Sequence, residues 1–284
     1  MGLRINTNVP ALVAQRNLRN NRINLDKSLE RLSSGSRINH AGDDAAGLAI
    51  SEGMKAQIRG LGQAERNAQD GISLVQVAEG AMAEVSNLLV RMRELGVQAA
   101  SDTVGPTERG FLNVEFQQAL EEIDRISNST EYNGVALLNG SASVFEVQIG
   151  TRNNPLVDRV KLFDASAADI NTVALGINLL SLADKSSAQN GLMSLDRALN
   201  SVTAVRAEFG AMQNRLQSVV NNIMVSKENL SAANSRVRDA DVAEESSELT
   251  KNQILQQSGI AVLGQANSSI KSALSLLGGN GGMG

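Results

Sequence analysis

The sequence predicts a mainly α fold: a long antiparallel helical rod with coiled-coil seams, one small β-hairpin, and N- and C-terminal helices paired with each other. Three observations carry this. Apolar residues recur at heptad spacing along long stretches of the 284-residue chain. Aromatic residues make up only 2 %, with Phe 5, Tyr 1 and Trp 0, too few for the core of a compact sandwich or α/β enzyme. Pro 3 leaves few forced breaks, so elements can run long.

The elements follow in order. Near the N-terminus Leu18, Leu25, Leu29 and Leu32 share a helical face, interrupted by Arg22. The run Ser33 to Asp44, rich in Gly, Ser and Asp, breaks that helix, and Asp43 and Asp44 read as N-caps of the next. The second helix carries a seam whose first set is Leu61, Ala68, Val75, Met82, Leu89 and Gly96. Its companion set is Ala64, Gly71, Ala78, Val85, Met92 and Ala99. The early members are small and permit close approach, while Gly71 and Gly80 each cost about 1 kcal/mol of helix propensity that packing must offset. A third helix is predicted from about Thr107 to Ile126, with Pro106 where a helix start tolerates it.

The middle changes period. Asn133-Gly134 and Asn139-Gly140 are turn dipeptides. Phe145, Val147 and Ile149 alternate with polar residues, as do Val160 and Leu162 beyond the turn at 151–155, which predicts one hairpin. Residues 164–187 are small and polar, without a clear period. The strongest seam then runs through Leu195, Val202, Phe209, Leu216, Ile223, Leu230 and Val237, with Ala198, Val205, Met212, Val219, Ser226, Ala233 and Ala240 three residues on. At about 1.5 Å per residue, 195–240 spans roughly 70 Å. A last stripe of Leu263, Ala266, Ile270, Leu274 and Leu277 faces one way. Neither terminal stripe can bury itself alone, because short helices are marginal in water. Pairing the two ends, or docking them on other copies, answers both.

Chemistry is sparse. Lys+Arg 26 against Asp+Glu 30 gives a net charge of −4, without the basic excess that nucleic acid selects. Cys 0 removes disulfides and thiolate chemistry, which fits an extracellular chain or one that must stay unfolded in transit. There is no run of 18 apolar residues, so no membrane insertion is expected, and the start of the chain has no apolar signal core. His40 has no second ligand or nucleophile partner at a recognised spacing and reads as solvated or structural. No catalytic, metal or cofactor motif stands out. The charged cluster Arg236, Arg238, Asp239, Asp241, Glu244 and Glu245 reads as either a solvated face or an intersubunit ion-pair surface.

Motifs at both ends carry a resemblance. Arg4-Ile5-Asn6-Thr7-Asn8, Leu32-Ser33-Ser34-Gly35, Arg37-Ile38-Asn39 and Asp43 to Ile50 resemble the N-terminal signature of bacterial flagellins. Glu228 to Arg236, Gln253-Ile254-Leu255-Gln256-Gln257 and Leu263-Gly264-Gln265-Ala266-Asn267 resemble the C-terminal one. The resemblance implies a non-enzymatic structural subunit that polymerises into the flagellar filament outside the cell, the propeller for swimming. It implies a discontinuous terminal inner-core coiled-coil domain, 1–44 and 235–284, assembled through Leu18, Leu25, Leu29, Leu32, Leu263, Ile270, Leu274 and Leu277. It implies a helical rod domain, 45–234, with a β insert at about 140–187, no outer variable domains, and a seam of Val75, Met82, Leu89, Val202, Phe209, Leu216 and Ile223. Implied partners are further copies of itself, the flagellar export apparatus and an export chaperone, hook-associated and cap proteins, and Toll-like receptor 5. For the last, Arg91, Leu95, Gln98 and Glu115 match the family's patch, which reads first as a subunit–subunit contact surface with receptor binding incidental; the places of Arg91, Leu95 and Glu115 off the seams predict exposure. No cofactor is implied. A hook–filament junction protein and a cytosolic coiled-coil scaffold are the alternative readings.

Overall fold

The computed structural model describes residues 7–141, 144–164 and 168–278, with side chains of the last helix described as far as Ser272. The chain is mainly α. Helix α1 spans Val9–Ser34, α2 Ala45–Ala99 and α3 Pro106–Ser129. Four strands follow, β1 Glu131–Tyr132, β2 Val135–Ala136, β3 Val144–Gln148 and β4 Arg159–Asp164, and then α4 Lys185–Arg238 and α5 Val242–Gly278. Two compact units result, one of residues 1–55 with 230–284 and one of residues 56–229.

Local chemistry sets the helix ends. Pro10 lies in the first turn of α1, Asn8 Oδ1 accepts from the Ala11 amide, and Gly35 closes the helix at φ 67°. Asp44 caps α2 by accepting from the Gly47 amide at 2.8 Å. Asp43, expected as a second cap, instead accepts from the amides of Asn39 and His40 and pairs with Lys27 at 2.7 Å, locking the loop. Asp241 caps α5 through the Ala243 amide.

The core of the middle unit forms where α2, α3 and α4 bring their apolar stripes together over the hairpin. Val75, Met82, Leu89, Val202, Phe209, Leu216 and Ile223 are all buried. α2 and α4 are tied by Arg93–Asp196 at 2.7 Å and Lys227–Glu65 at 3.0 Å. The β3–β4 hairpin pairs antiparallel, with a register irregularity between Phe145 and Glu146. It lies over Gly71, where an added Cβ would stand 3.0 Å from Val147 and 3.7 Å from Leu162. Phe163 links Phe145 to Phe209, with both ring pairs 5.0 Å apart.

Several expectations change. The fourth helix ends at Arg238, so Ala240 is not on the seam: Asp239 bridges to Ser36, and the Ala240 amide donates to Gly35 carbonyl oxygen at 3.0 Å, turning the chain. Within that helix Val220, not Val219, is the buried residue. The Asn133-Gly134 turn closes a second, two-residue ladder, β1–β2, with both turn residues at positive φ. From Ala168 on, the segment after β4 is held against α3 despite its lack of period. Asn113 Oδ1 accepts from the Leu182 amide, Asp124 accepts from the Thr172 amide and hydroxyl, and Gln117 donates to Leu180 carbonyl oxygen. These α3 side chains pin Ile170, Ile177 and Leu182 into the core.

Candidate functional site

The surfaces that matter are the faces of the terminal helices. α1 and α5 pack together antiparallel. Asn8 Nδ2 donates to the Ala266 carbonyl oxygen at 3.2 Å, and Arg31 meets Glu245 at 3.5 Å, which fixes the register. The covered positions step by three and four: Ala11, Ala14, Leu18, Asn21, Leu25, Ser28 and Leu32 on α1, Asn252, Gln256, Gly259, Leu263, Ala266 and Ile270 on α5. The approach is close at Gly259, where a Cβ would stand 2.7 Å from Leu18. Leu18, Leu25, Leu32, Leu263 and Ile270 are only half-buried. Leu274 and Leu277 lie outside the described side chains.

Leu29 is a correction to the shared face. It is 47 % exposed, while its neighbour Ser28 is buried in the seam. The three–four stepping runs from 25 to 28 to 32, so residue 29 is rotated about 100° away. Leu29 joins an uncovered apolar set on these helices: Val9, Leu12, Val13 and Ile23 on α1, and Val242, Ile254, Leu255, Ile260 and Val262 on α5.

The second candidate patch divides. Arg91 is exposed and donates to Glu115 at 2.8 Å and Glu94 at 3.1 Å, and Gln98 and Glu115 are exposed. Leu95, expected on the surface, is 1 % exposed and belongs to the core. Near its end α2 has α4 on one flank, where Gly96 abuts Leu192, and α3 on the other, through Arg91–Glu115. Two neighbours widen the buried arc beyond the two heptad positions.

The charged cluster is partly spent within the chain. Arg238 pairs with Glu52, which holds that carboxyl below its ordinary range, and Arg31 takes Glu245. His40 is exposed and pairs with Glu30 at 2.8 Å. Lys27, with help from the His40 and Asn39 amides, lowers the Asp43 pKa to about 2. Among the described residues no group of three or more His, Cys, Asp or Glu is placed to hold a metal. Among them, too, no helix is long and apolar enough to cross a membrane.

Long helices with a tight seam on one side and uncovered apolar residues on another define a helical structural protein. Comparison with known proteins makes this specific. The model of the bacterial flagellin N-terminal helical region matches residues 5–143, and that of the C-terminal helical region matches residues 192–277. The flagellin of Halalkalibacterium halodurans is 45 % identical over 273 residues, covering 96 % of this chain and 99 % of that one. The flagellar filament 33 kDa core protein of Treponema phagedenis is 43 % identical over 285 residues, covering 96 % and 99 %. A putative flagellar hook-associated protein from Vibrio parahaemolyticus shares the fold, with TM-score 0.57 at 14 % identity over 69 % of this chain and 100 % of that one. The chain belongs to the bacterial flagellin family.

Proposed function

We propose that this chain is the structural subunit of a bacterial flagellar filament, an extracellular helical homopolymer, and that its terminal unit completes its folding on assembly. One observation carries the reading: α1 and α5 fully bury only Ala11, Ala14, Ser28 and Asn252 in their mutual seam, leave its leucines half-buried, and leave other large apolar side chains uncovered. Fully burying one such side chain contributes about 1.5–3 kcal/mol. Contact with further copies would therefore supply what the isolated pair lacks, coupling folding to polymerisation. A head-to-tail contact that does not close generates an open helical filament. In this reading residues 1–44 and 235–284 form the inner core, and 45–234 the layer around it.

The same reading assigns the remaining partners. The chain would pass unfolded through the export apparatus with a chaperone on its uncovered ends, and then meet cap and hook-associated proteins. The absence of cysteine agrees with such a route. Arg91, Gln98 and Glu115 remain the residues through which Toll-like receptor 5 would engage a monomer, with Leu95 supporting them from beneath. An Arg91→Ala chain that polymerises and signals like the parent removes that assignment.

Electron microscopy of polymer grown from the purified chain tests the main reading. Long filaments are expected. Assemblies that stop at short oligomers contradict it.

A further inference from the structure

The terminal unit is divided by charge along its length. Residues 1–25 and 249–284 contain Arg4, Arg16, Arg19, Arg22, Lys251 and Lys271 and no Asp or Glu. Because α1 and α5 run antiparallel, residues 9–25 of one lie beside residues 249–266 of the other, with Asn8 bonded to Ala266. Residues 26–52 and 230–248 contain ten Asp and Glu against five Lys and Arg. One half of the helix pair is basic and the other acidic.

The two halves do not neutralise each other. Arg16 and Arg19 are exposed, and neither has an ion pair or hydrogen bond among the described residues. Asp239 and Glu244 in the acidic half are exposed, and their carboxylates are equally without a partner there. From Arg19 the first carboxylate along α1, Asp26, lies about 10 Å up the axis. The level of the Arg31–Glu245 pair lies about 18 Å up the axis. Both distances exceed the screening length of about 8 Å at physiological ionic strength. Arg16 and Arg19 therefore look outside the subunit for an anion.

A second copy supplies one. Copies in an open filament share one polarity and meet through different faces. At equal height a neighbour offers these arginines only its own basic half, on α1 and α5 alike. A shift of about 18 Å along the axis brings the neighbour's acidic half level with them. Uncovered apolar residues flank both charge sets: Leu12, Val13 and Ile23 near the arginines, and Val242 near Asp239 and Glu244. Covering these residues also excludes water around the charges, which strengthens their attraction.

We infer that the arginine face of α1 docks on the acidic half of the terminal unit of a second copy, and that this pairing sets an axial stagger between neighbouring subunits. The inference rests on the filament reading. The apolar rows supply adhesion but tolerate sliding. The charges select one register, because at equal height like charges would meet.

A charge-reversal cycle tests it, read as the critical concentration for polymerisation, with thermal unfolding of residues 56–229 as the folding control. Arg16→Glu with Arg19→Glu, and Asp239→Arg with Glu244→Arg, are each expected to raise the critical concentration about fivefold or more. All four changes in one chain restore opposite charges across the contact, and the value is expected to return to within about twofold of the parent's. A parent-like value for either double variant overturns the inference, and so does a four-residue variant no better than the doubles. Vesicles of phosphatidylglycerol probe a different acidic surface. Vesicle binding by the monomer that Arg16→Glu with Arg19→Glu abolishes, alongside parent-like polymerisation, gives the arginines to a membrane and overturns the inference. Electron cryomicroscopy of the parent filament needs no variant. Arg16 or Arg19 within about 4 Å of a neighbouring copy's carboxylate supports the stagger, and both facing water overturns it. Failure of the parent to form filaments overturns the filament reading itself, whereas parent filaments without rescue by the four changes overturn the stagger alone.

Discussion

Single residues set local terms that can be measured one at a time. Asp43 closes the α1–α2 loop with its carboxylate charged, and its pKa falls from 3.8 to about 2. A depressed carboxylate stabilises the folded form above its unfolded pKa, and that contribution is lost as pH falls through the folded one. Asp43→Asn is therefore expected to weaken assembled polymer at pH 7, with the difference from the parent vanishing as pH falls from about 4 to 2. Sedimentation of polymer across that range checks it. The helical glycines split by surroundings. Gly80 has nothing near its Cβ position, whereas a Cβ at Gly71 would stand 3.0 Å from Val147 and 3.6 Å from Leu216. Gly80→Ala should gain about 1 kcal/mol from helix propensity, seen as a thermal midpoint higher by roughly 2–4 °C. Gly71→Ala should lower the midpoint, because overpacking costs about 1–3 kcal/mol. Equal gains at both sites would show that the hairpin does not seat on Gly71. The sequence hints at this contrast only in part: both glycines interrupt one helix, but just one lies on the heptad.

At the scale of elements, the two helix pairings differ in how openly the sequence displays them. The α2 and α4 seams are legible because Val75, Met82, Leu89, Val202, Phe209 and Leu216 are large and regularly spaced, and all are buried. The fully buried positions of the α1–α5 seam are Ala11, Ala14, Ser28 and Asn252, with its leucines only half-buried, so a search for leucines selects Leu29 and passes over Ser28. Leu95 escapes for another reason: a heptad describes one neighbour, and α2 has two there. Phe163 was not on any predicted face, yet it bridges the hairpin to Phe209, a tertiary fact with no periodic signal. Phe209→Ala should cost about 3–5 kcal/mol in denaturant unfolding. Phe145→Ala, at a half-exposed position, should cost clearly less. Replacing exposed Leu255 or Ile260 by Ser should leave the middle unit's unfolding unchanged. Each change should raise the critical concentration roughly tenfold or more, since burying such a side chain contributes about 1.5–3 kcal/mol.

For the whole molecule, the division of labour follows where large apolar and aromatic side chains lie. The middle unit, residues 56–229, holds Phe116, Phe163 and Phe209 and a continuous core. It has what a domain needs to fold alone. The terminal unit has no Phe, Tyr or Trp, fully buries only Ala, Ser and Asn between α1 and α5, and carries uncovered Leu, Ile and Val. The low aromatic content of the chain thus has a location as well as a value. The central claim is that one unit is folded in the free subunit and the other acquires its structure from its neighbours. Limited proteolysis of monomer and polymer, with cleavage sites read by mass spectrometry, tests this most directly. The account predicts rapid cleavage within residues 1–33 and 241–284 of the monomer and protection of the same residues in the polymer. Equal protection of those residues in both states would contradict it.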